Sequence, residues 1–165
     1  LMLSALAPTK SSIQGLLNSE DVAATSHCLS QCGMDVIQSN AHEIIIKSPL
    51  EKGFKGFSEP DNVLDACNSG TTIRLLSGLL SGQKLYAILT GDGSLRKRPM
   101  GRIIRPLREM GACLFGRHND QFAPLTLLPI QEPLKGIEYH SPIASAQVKS
   151  AILLAGLFAE GKVVV

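Results

Sequence analysis

Arg96, Lys97, Arg98, Arg102, Arg105 and Arg108 are six basic residues with no acid among them, inside the stretch Gly91–Arg108. Their chemistry is anion binding, because a guanidinium can grip a carboxylate or phosphate through two parallel hydrogen bonds. Pro99 suits the first position of a helix, where its missing N–H costs nothing. Met100, Ile103, Ile104, Leu107 and Met110 then recur at helical spacing as one apolar face. Arg96–Arg98 are therefore expected at, or just before, the positive end of a helix dipole, where each cation is disfavoured by a few tenths of a kcal/mol or more. A bound anion relieves that conflict. Solvation of a basic helix face relieves it too, and charge alone does not choose between the two.

Two further stretches offer hydrogen-bond donors. Asn68-Ser69-Gly70-Thr71-Thr72 opens an apolar helix: Asn or Ser caps it, Gly lets the backbone approach a ligand, and the Thr hydroxyls add donors. Ser145-Ala146-Gln147 opens another, with Ser145 as cap and Gln147 able both to donate and to accept. Judged singly, each is an ordinary helix start. His27, His42, His118 and His140 lack ligand spacing, so no metal site is expected. Asp65 and Asp92 lie near these loops, but neither has a second carboxylate with which to share acid–base work.

Composition narrows the ligand. The chain has 165 residues, 44% apolar and 18% charged, which is globular in character. Outside the six-residue cluster, ten basic residues face fourteen acidic ones, so the positive charge is local although the whole chain carries only +2. A small anion suits that distribution better than a polyanion such as RNA. Two Tyr, five Phe and no Trp also leave little surface on which bases could stack. Cys28, Cys32, Cys67 and Cys113 form no C-x-x-C pair and read as free, buried thiols of a reducing compartment; Cys28 and Cys32 share one helix face. Ala151–Ala159, the longest apolar-plus-Gly run, is too short to cross a bilayer. There is no signal-peptide pattern. The chain opens on Leu1 inside an apolar helical pattern, which reads as a truncation.

The elements that must position these residues are repeated. Leu75–Leu80 (LLSGLL) returns as Leu153–Phe158 (LLAGLF), and Gly33–Ile37 returns as Gly111–Phe115, both offset by 78 residues. Met2–Ala7 resembles Leu75–Leu80, and Leu50–Phe57 resembles Pro133–Ile137. Each unit reads as a small-residue-rich helix (1–7, 70–82, 145–160), a strand (11–16, 84–90, 162–165), an amphipathic helix (19–32, 99–110), and two strands (34–38 with 42–47, 112–116 with 124–128). Ser19 starts a helix, Gly33 and Gly111 stop helices, Ile44–Ile46 reads as a buried strand, and Pro106 should kink or shorten its helix. The expected fold is α/β (α+β), built of βαβαββ units about 75–80 residues long. If an internal axis relates the units, the small-residue helices converge at their N-termini, and converging N-termini make an anion pocket. Arg98 precedes proline, so its backbone is biased to be extended.

L-D-A-C-N-S-G-T-T-I-R-L-L (64–76), G-D-G-S-L-R-K-R-P-M (91–100) and A-S-A-Q-V-K-S-A-I-L-L-A-G-L (144–157) resemble, in order, the 5-enolpyruvylshikimate-3-phosphate synthase family, the 3-phosphoshikimate 1-carboxyvinyltransferases of the shikimate pathway. The resemblance covers essentially the whole chain, including the S-E-D-V-x-x-T run at Ser19–Thr25. It implies a three-fold pseudo-symmetric domain, most of the inserted domain of a two-domain enzyme, with residues 1–165 forming one domain truncated at both ends and the second domain absent. It also implies that Gly70 and Arg98 contact phosphoenolpyruvate, that Asn68 and Thr71 line the same pocket, and that Ser145, Ala146 and Gln147 hold shikimate 3-phosphate. Glyphosate would compete at the phosphoenolpyruvate position, in the space that Gly70 leaves. No cofactor, metal, nucleic acid or membrane is implied. The parent enzyme is expected to be a cytoplasmic monomer, or plastidic in a plant.

Two departures from the family pattern matter. Cys67 stands where the family usually has Gly before the Asn of N-S-G-T-T, and it is strained by roughly 1 kcal/mol or more if the position needs φ > 0. The family's K-S-x-S-H-R segment, with the Lys implicated in proton transfer, is not in this chain, nor are the base and further anion-binding residues of the second domain. The chain is therefore expected to contain no catalytic acid or base and to be inert alone. A UDP-N-acetylglucosamine enolpyruvyltransferase-like enzyme and a non-catalytic anion- or RNA-binding module are the alternatives. Within the basic cluster Arg98 is assigned to the ligand; Lys97, Arg102, Arg105 and Arg108 are assigned to a solvated helix face, and Arg96 is left open.

Overall fold

Ser19 is extended (φ −133°, ψ 156°), and its hydroxyl oxygen accepts the Val22 N–H at 3.4 Å, so a helix begins where the sequence predicts. The computed structural model describes residues 1–40, 42–47 and 57–165. The elements run α1 (Met2–Ala5), β1 (Ser11–Gln14), α2 (Glu20–Gln31), β2 (Asp35–Asn40), β3 (Glu43–Lys47), β4 (Leu64–Asp65), α3 (Gly70–Leu80) and β5 (Ala87–Thr90). After a 3₁₀ turn at Leu95–Lys97 come α4 (Gly101–Glu109), β6 (Leu114–Gly116), one tight turn α5 (Arg117–Asp120), β7 (Phe122–Leu127), β8 (Leu134–Lys135), α6 (Ala146–Gly156) and β9 (Ala159–Glu160).

The repeat is visible in the pairing. One sheet has the order β1-β3-β2, and its counterpart has β5-β7-β6, both antiparallel. β4 lies parallel to β5, and β8 lies parallel to β9 in the same way. Residues from β4 to β7 thus make one complete βαβαββ unit, flanked by parts of two others. Helix ends repeat as well. Gly33 (φ +87°) donates to Ser30 O and Met34 donates to Leu29 O, while Gly111 (φ +100°) donates to Arg108 O and Ala112 donates to Leu107 O. Only glycine takes that left-handed position without cost. The likeness of Leu50–Phe57 to Pro133–Ile137 falls outside the described residues, apart from Phe57.

Some boundaries differ from expectation. The strand expected over 162–165 is instead β9, with only an isolated bridge from Glu138 to Val164. Helix α6 ends at Gly156, so the strand starts early, and Gly161 at φ +91° then breaks it. Helix α1 is only four residues long. Pro99 is not the first helical residue: Met100 donates its N–H to Gln121 O at 2.7 Å, which holds the chain back, and the helix begins at Gly101. Pro106 neither ends nor divides α4, which runs through it to Glu109.

The core is continuous from Ile44 and Ile46 of the central strand β3, through Leu64, Leu89 and Leu125, to Ile103, Ile104 and Leu107 of α4. At its centre α3 and α6 touch backbone to backbone: a Cβ on Gly78 would lie 2.2 Å from Ala151 O. Gly78→Ala should therefore cost about 1–3 kcal/mol by forcing these helices apart, read as a lowered Tm; an unchanged Tm would show that the contact is dispensable. Cys28 and Cys32 are free and fully buried, while Cys67 is exposed and Cys113 half-buried, so the buried-thiol expectation holds for the first pair only. Burial, joined at Cys28 by the charges of Cys32, Asp65 and Cys67, pushes both thiols up to about 12 from an ordinary 9.0. The folded chain keeps protons that the unfolded chain releases, so this stabilisation is complete below about pH 9 and is lost as pH rises towards 12. A Cys28→Ala/Cys32→Ala variant should show a flatter loss of stability across that alkaline window in urea titrations than the unsubstituted chain.

Candidate functional site

Ser69, not Asn68, caps α3: its hydroxyl oxygen accepts the Thr72 N–H at 3.0 Å. Ser145 caps α6 in the same way, accepting the Val148 N–H at 3.4 Å. Each oxygen spends its acceptor role on the helix and keeps an O–H to donate. The two helix starts lie side by side, because Gln147 Nε2 donates to Thr71 Oγ1 at 3.0 Å. Their unpaired N–H groups and dipoles reinforce each other at one place.

Asn68 leaves the cap to serve Arg98. Its Oδ1 accepts from Arg98 Nη2, and its Nδ2 donates to Asp92 Oδ2 at 2.6 Å. Asp92 is fixed in turn, since its Oδ1 accepts the Ser94 and Leu95 N–H groups at 2.9 and 2.7 Å. The Asn68 amide, then the Leu95 N–H, hold the Asp92 carboxyl below its ordinary range, so it stays ionised while it braces the loop. Arg98 is extended (φ −79°, ψ 140°), as its place before proline requires, and projects back over α3.

Gly70 lies beneath two cations. A Cβ there would sit 2.7 Å from Arg74 Nη1 and 3.0 Å from Arg98 Nη1. Arg74 had no role in the sequence reading, although a lone cation one turn into an apolar helix was a usable signal. It donates to Gln147 Oε1 at 2.7 Å, to Gly70 O at 3.3 Å and to Pro99 O at 3.1 Å. Burial first, then the charges of Arg98 and Arg102, lower its guanidinium below the ordinary value. Among the described residues, no carboxylate lies within 4.0 Å of Arg74, Arg98 or Arg102. Asn68, Gly70, Thr71, Arg98 and Gln147 are thus joined in one constellation, with Ser145 and Ala146 at its edge. It presents donors and uncompensated positive charge, and so it suits a small, multiply charged anion.

The rest of the basic cluster divides. Lys97, Arg102 and Arg105 are exposed, as expected of a solvated face, and Arg96 joins them. Arg108 does not. It is half-buried, donates from Nε to Leu114 O at 2.6 Å, pairs with Asp120 and stacks 4.7 Å from the Phe115 ring centroid. Its work is to fasten α4 to β6 and to the turn in which His118, Asn119 and Asp120 are left-handed.

The whole chain, residues 1–165, matches the family model described as EPSP synthase (3-phosphoshikimate 1-carboxyvinyltransferase). The chain belongs to the EPSP synthase family. The 3-phosphoshikimate 1-carboxyvinyltransferase of Alkaliphilus metalliredigens is 53% identical over 165 residues, all of this chain and 37% of that protein. Its counterpart in Synechocystis sp. is 52% identical over 163 residues, 98% of this chain and 35% of that protein. The solved EPSP synthase from Acinetobacter baumannii superposes with a TM-score of 0.91 at 44% identity, covering 97% of this chain and 36% of that one. The chain therefore spans little more than a third of the length of these EPSP synthases, and their enolpyruvyltransferase fold agrees with the α/β repeats seen here.

The Cys67 departure now has a geometry. Cys67 has φ +51°, donates its N–H to Asp65 Oδ1 at 2.8 Å and accepts the Asp92 N–H at 2.8 Å. A side chain in that conformation costs about 1–2 kcal/mol, of which the flexibility of glycine in the unfolded chain would take back part. Cys67→Gly should raise stability by roughly 0.5–1 kcal/mol, whereas Cys67→Val should lower it. Equal Tm values for the three proteins would contradict the strain.

Proposed function

We propose that this chain supplies the anion-gripping side of the active site of a 3-phosphoshikimate 1-carboxyvinyltransferase, forming most of one of that enzyme's two domains. The enzyme would move the enolpyruvyl group of phosphoenolpyruvate to the 5-hydroxyl of shikimate 3-phosphate. One observation carries the reading: Arg74 and Arg98 converge over Gly70, where a Cβ would lie 2.7 and 3.0 Å from their Nη1 atoms, and neither pairs with a carboxylate among the described residues, at the joined starts of α3 and α6. Phosphoenolpyruvate carries a carboxylate and a phosphate, and Arg98 would take one of them bidentately. Asn68 would hold Arg98 in place, and Thr71 would hold Gln147. Ser145, Ala146 and Gln147 would meet shikimate 3-phosphate from the start of α6.

In the reaction, the 5-hydroxyl gives up its proton and attacks C2 of phosphoenolpyruvate while C3 takes a proton; the tetrahedral intermediate then loses a proton from C3 as phosphate leaves, restoring the double bond. Donors and cations fixed in advance stabilise the charge that develops on the transferring group. Neither a general acid nor a general base is assigned to this chain, so the 165 residues should bind without turning over. The parent enzyme, on this reading, is a cytoplasmic or plastidic protein acting on small molecules.

Titration of the 165-residue chain with phosphoenolpyruvate tests the proposal. Binding should weaken roughly tenfold or more in Arg98→Ala, the expected loss for a charge-assisted contact, and no phosphate should be released when shikimate 3-phosphate is added. A response to UDP-N-acetylglucosamine in place of shikimate 3-phosphate would move the assignment to the other enolpyruvyl transfer. Steeply salt-dependent RNA binding with no response to either small molecule would defeat it.

A further inference from the structure

We infer that Arg74 is a positioning residue that fixes Gln147 with its amide nitrogen turned to the ligand; the inference rests on the anion-site reading above. A glutamine amide can be turned either way, and the two orientations present opposite chemistry to a bound group. Here Oε1 accepts from Arg74 Nη1 at 2.7 Å, and Nε2 donates to Thr71 Oγ1 at 3.0 Å. Reversal would set an NH₂ against a guanidinium, donor against donor, beside a cation that has no acceptor to offer. Arg74 therefore permits one orientation. In that orientation the second Nε2 hydrogen has no acceptor among the described residues, so Gln147 offers an anion a donor rather than a carbonyl oxygen.

The rest of the Arg74 environment serves the same end. Its other acceptors are the Gly70 and Pro99 carbonyls, so one guanidinium ties the first turn of α3, the segment after Arg98 and the first turn of α6 together. All three acceptors are uncharged. Three of the five N–H donors of the fork are thus engaged while its charge stays uncompensated among the described residues, which a carboxylate partner would prevent. Lysine could keep the charge, but its point-like ammonium cannot reproduce the planar fork that holds three directions at once.

Two measurements on the full 165-residue chain decide the matter. In the ligand-free, ¹⁵N-labelled protein, the side-chain amide pair of Gln147 should move to the position of a solvent-exposed glutamine in Arg74→Lys; an unmoved pair overturns the inference. In phosphoenolpyruvate titrations, Arg74→Lys should weaken binding roughly tenfold when Gln147 is present. It should change binding by less than about twofold in a Gln147→Ala background, because a residue acting through another is not additive with it. Equal losses in both backgrounds overturn the inference, since Arg74 would then act on the ligand directly. If the unsubstituted chain binds no phosphoenolpyruvate, the reading under Proposed function fails, while the amide pair still decides the role of Arg74. Gln147→Glu covers the case in which Arg74→Lys does not fold: a carboxylate placed against Arg74 should raise Tm and weaken phosphoenolpyruvate binding, and an unchanged Tm refutes the contact.

Discussion

Everything at the site depends on how closely α3 and α6 approach. Gly78 meets the backbone of Ala151, which admits no side chain between the helices, and nearer their starts Thr71 and Arg74 meet Gln147. The contacts ascend along both helices, so the two run in the same sense and bring their positive ends together. Such an arrangement opposes itself electrostatically, because like ends of two dipoles converge. Burial of the two helices tolerates it: Ile73, Leu76, Leu79 and Leu80 of α3 and Ala151, Ile152 and Ala155 of α6 all lie in the core. Small residues at the crossing set the distance, and burial supplies the driving force.

Two guanidiniums then sit over the start of α3, and among the described residues no carboxylate pairs with either. Their Nη1 atoms lie 2.7 and 3.0 Å from one point, the Cβ position of Gly70, and at such close quarters, with an effective dielectric of about 20, two unit charges repel by on the order of 3 kcal/mol before solvent screening. Part of it is met by distribution: Asp92 does not touch Arg98 but reaches it through Asn68, so Arg98 is oriented by an amide and feels the carboxylate only at a distance. A direct ion pair would have satisfied Arg98 and closed the site. By placing an amide between them, the fold keeps the geometry of the pair and leaves the charge available, which is what anion capture requires.

Much of this was legible in the residues. Ser19, Ser69 and Ser145 as caps and Gly33 and Gly111 as stops act through local chemistry, and local chemistry is what a sequence displays. The repeat supplied the topology, since β1-β3-β2 and β5-β7-β6 follow from two copies of one pattern. Misplacements arose where a distant partner decided. Pro99 looks like a helix start until Gln121 O claims the Met100 N–H. Arg108 looks like its exposed neighbours Arg102 and Arg105 until Leu114, Asp120 and Phe115 are brought against it by the turn at Arg117–Asp120. Arg74 is not evident from the sequence because its three acceptors lie in three separate stretches of chain, none of which announces it.

The basic cluster shows why charge in a sequence is a poor guide to charge at a site. Six cations lie within thirteen residues, Arg96–Arg108, yet only Arg98 reaches the constellation at Gly70. The cation beside it at Gly70, Arg74, lies outside the cluster altogether. What separates them from the others is the company each keeps: Arg108 has a carboxylate and an aromatic face and is thereby structural, the exposed cations have water, and Arg74 and Arg98 have uncharged acceptors. A cation held rigidly by neutral groups keeps its orientation and its field together. Gly70 completes the arrangement by adding nothing, for a single methyl group there would occupy the point on which both guanidiniums converge.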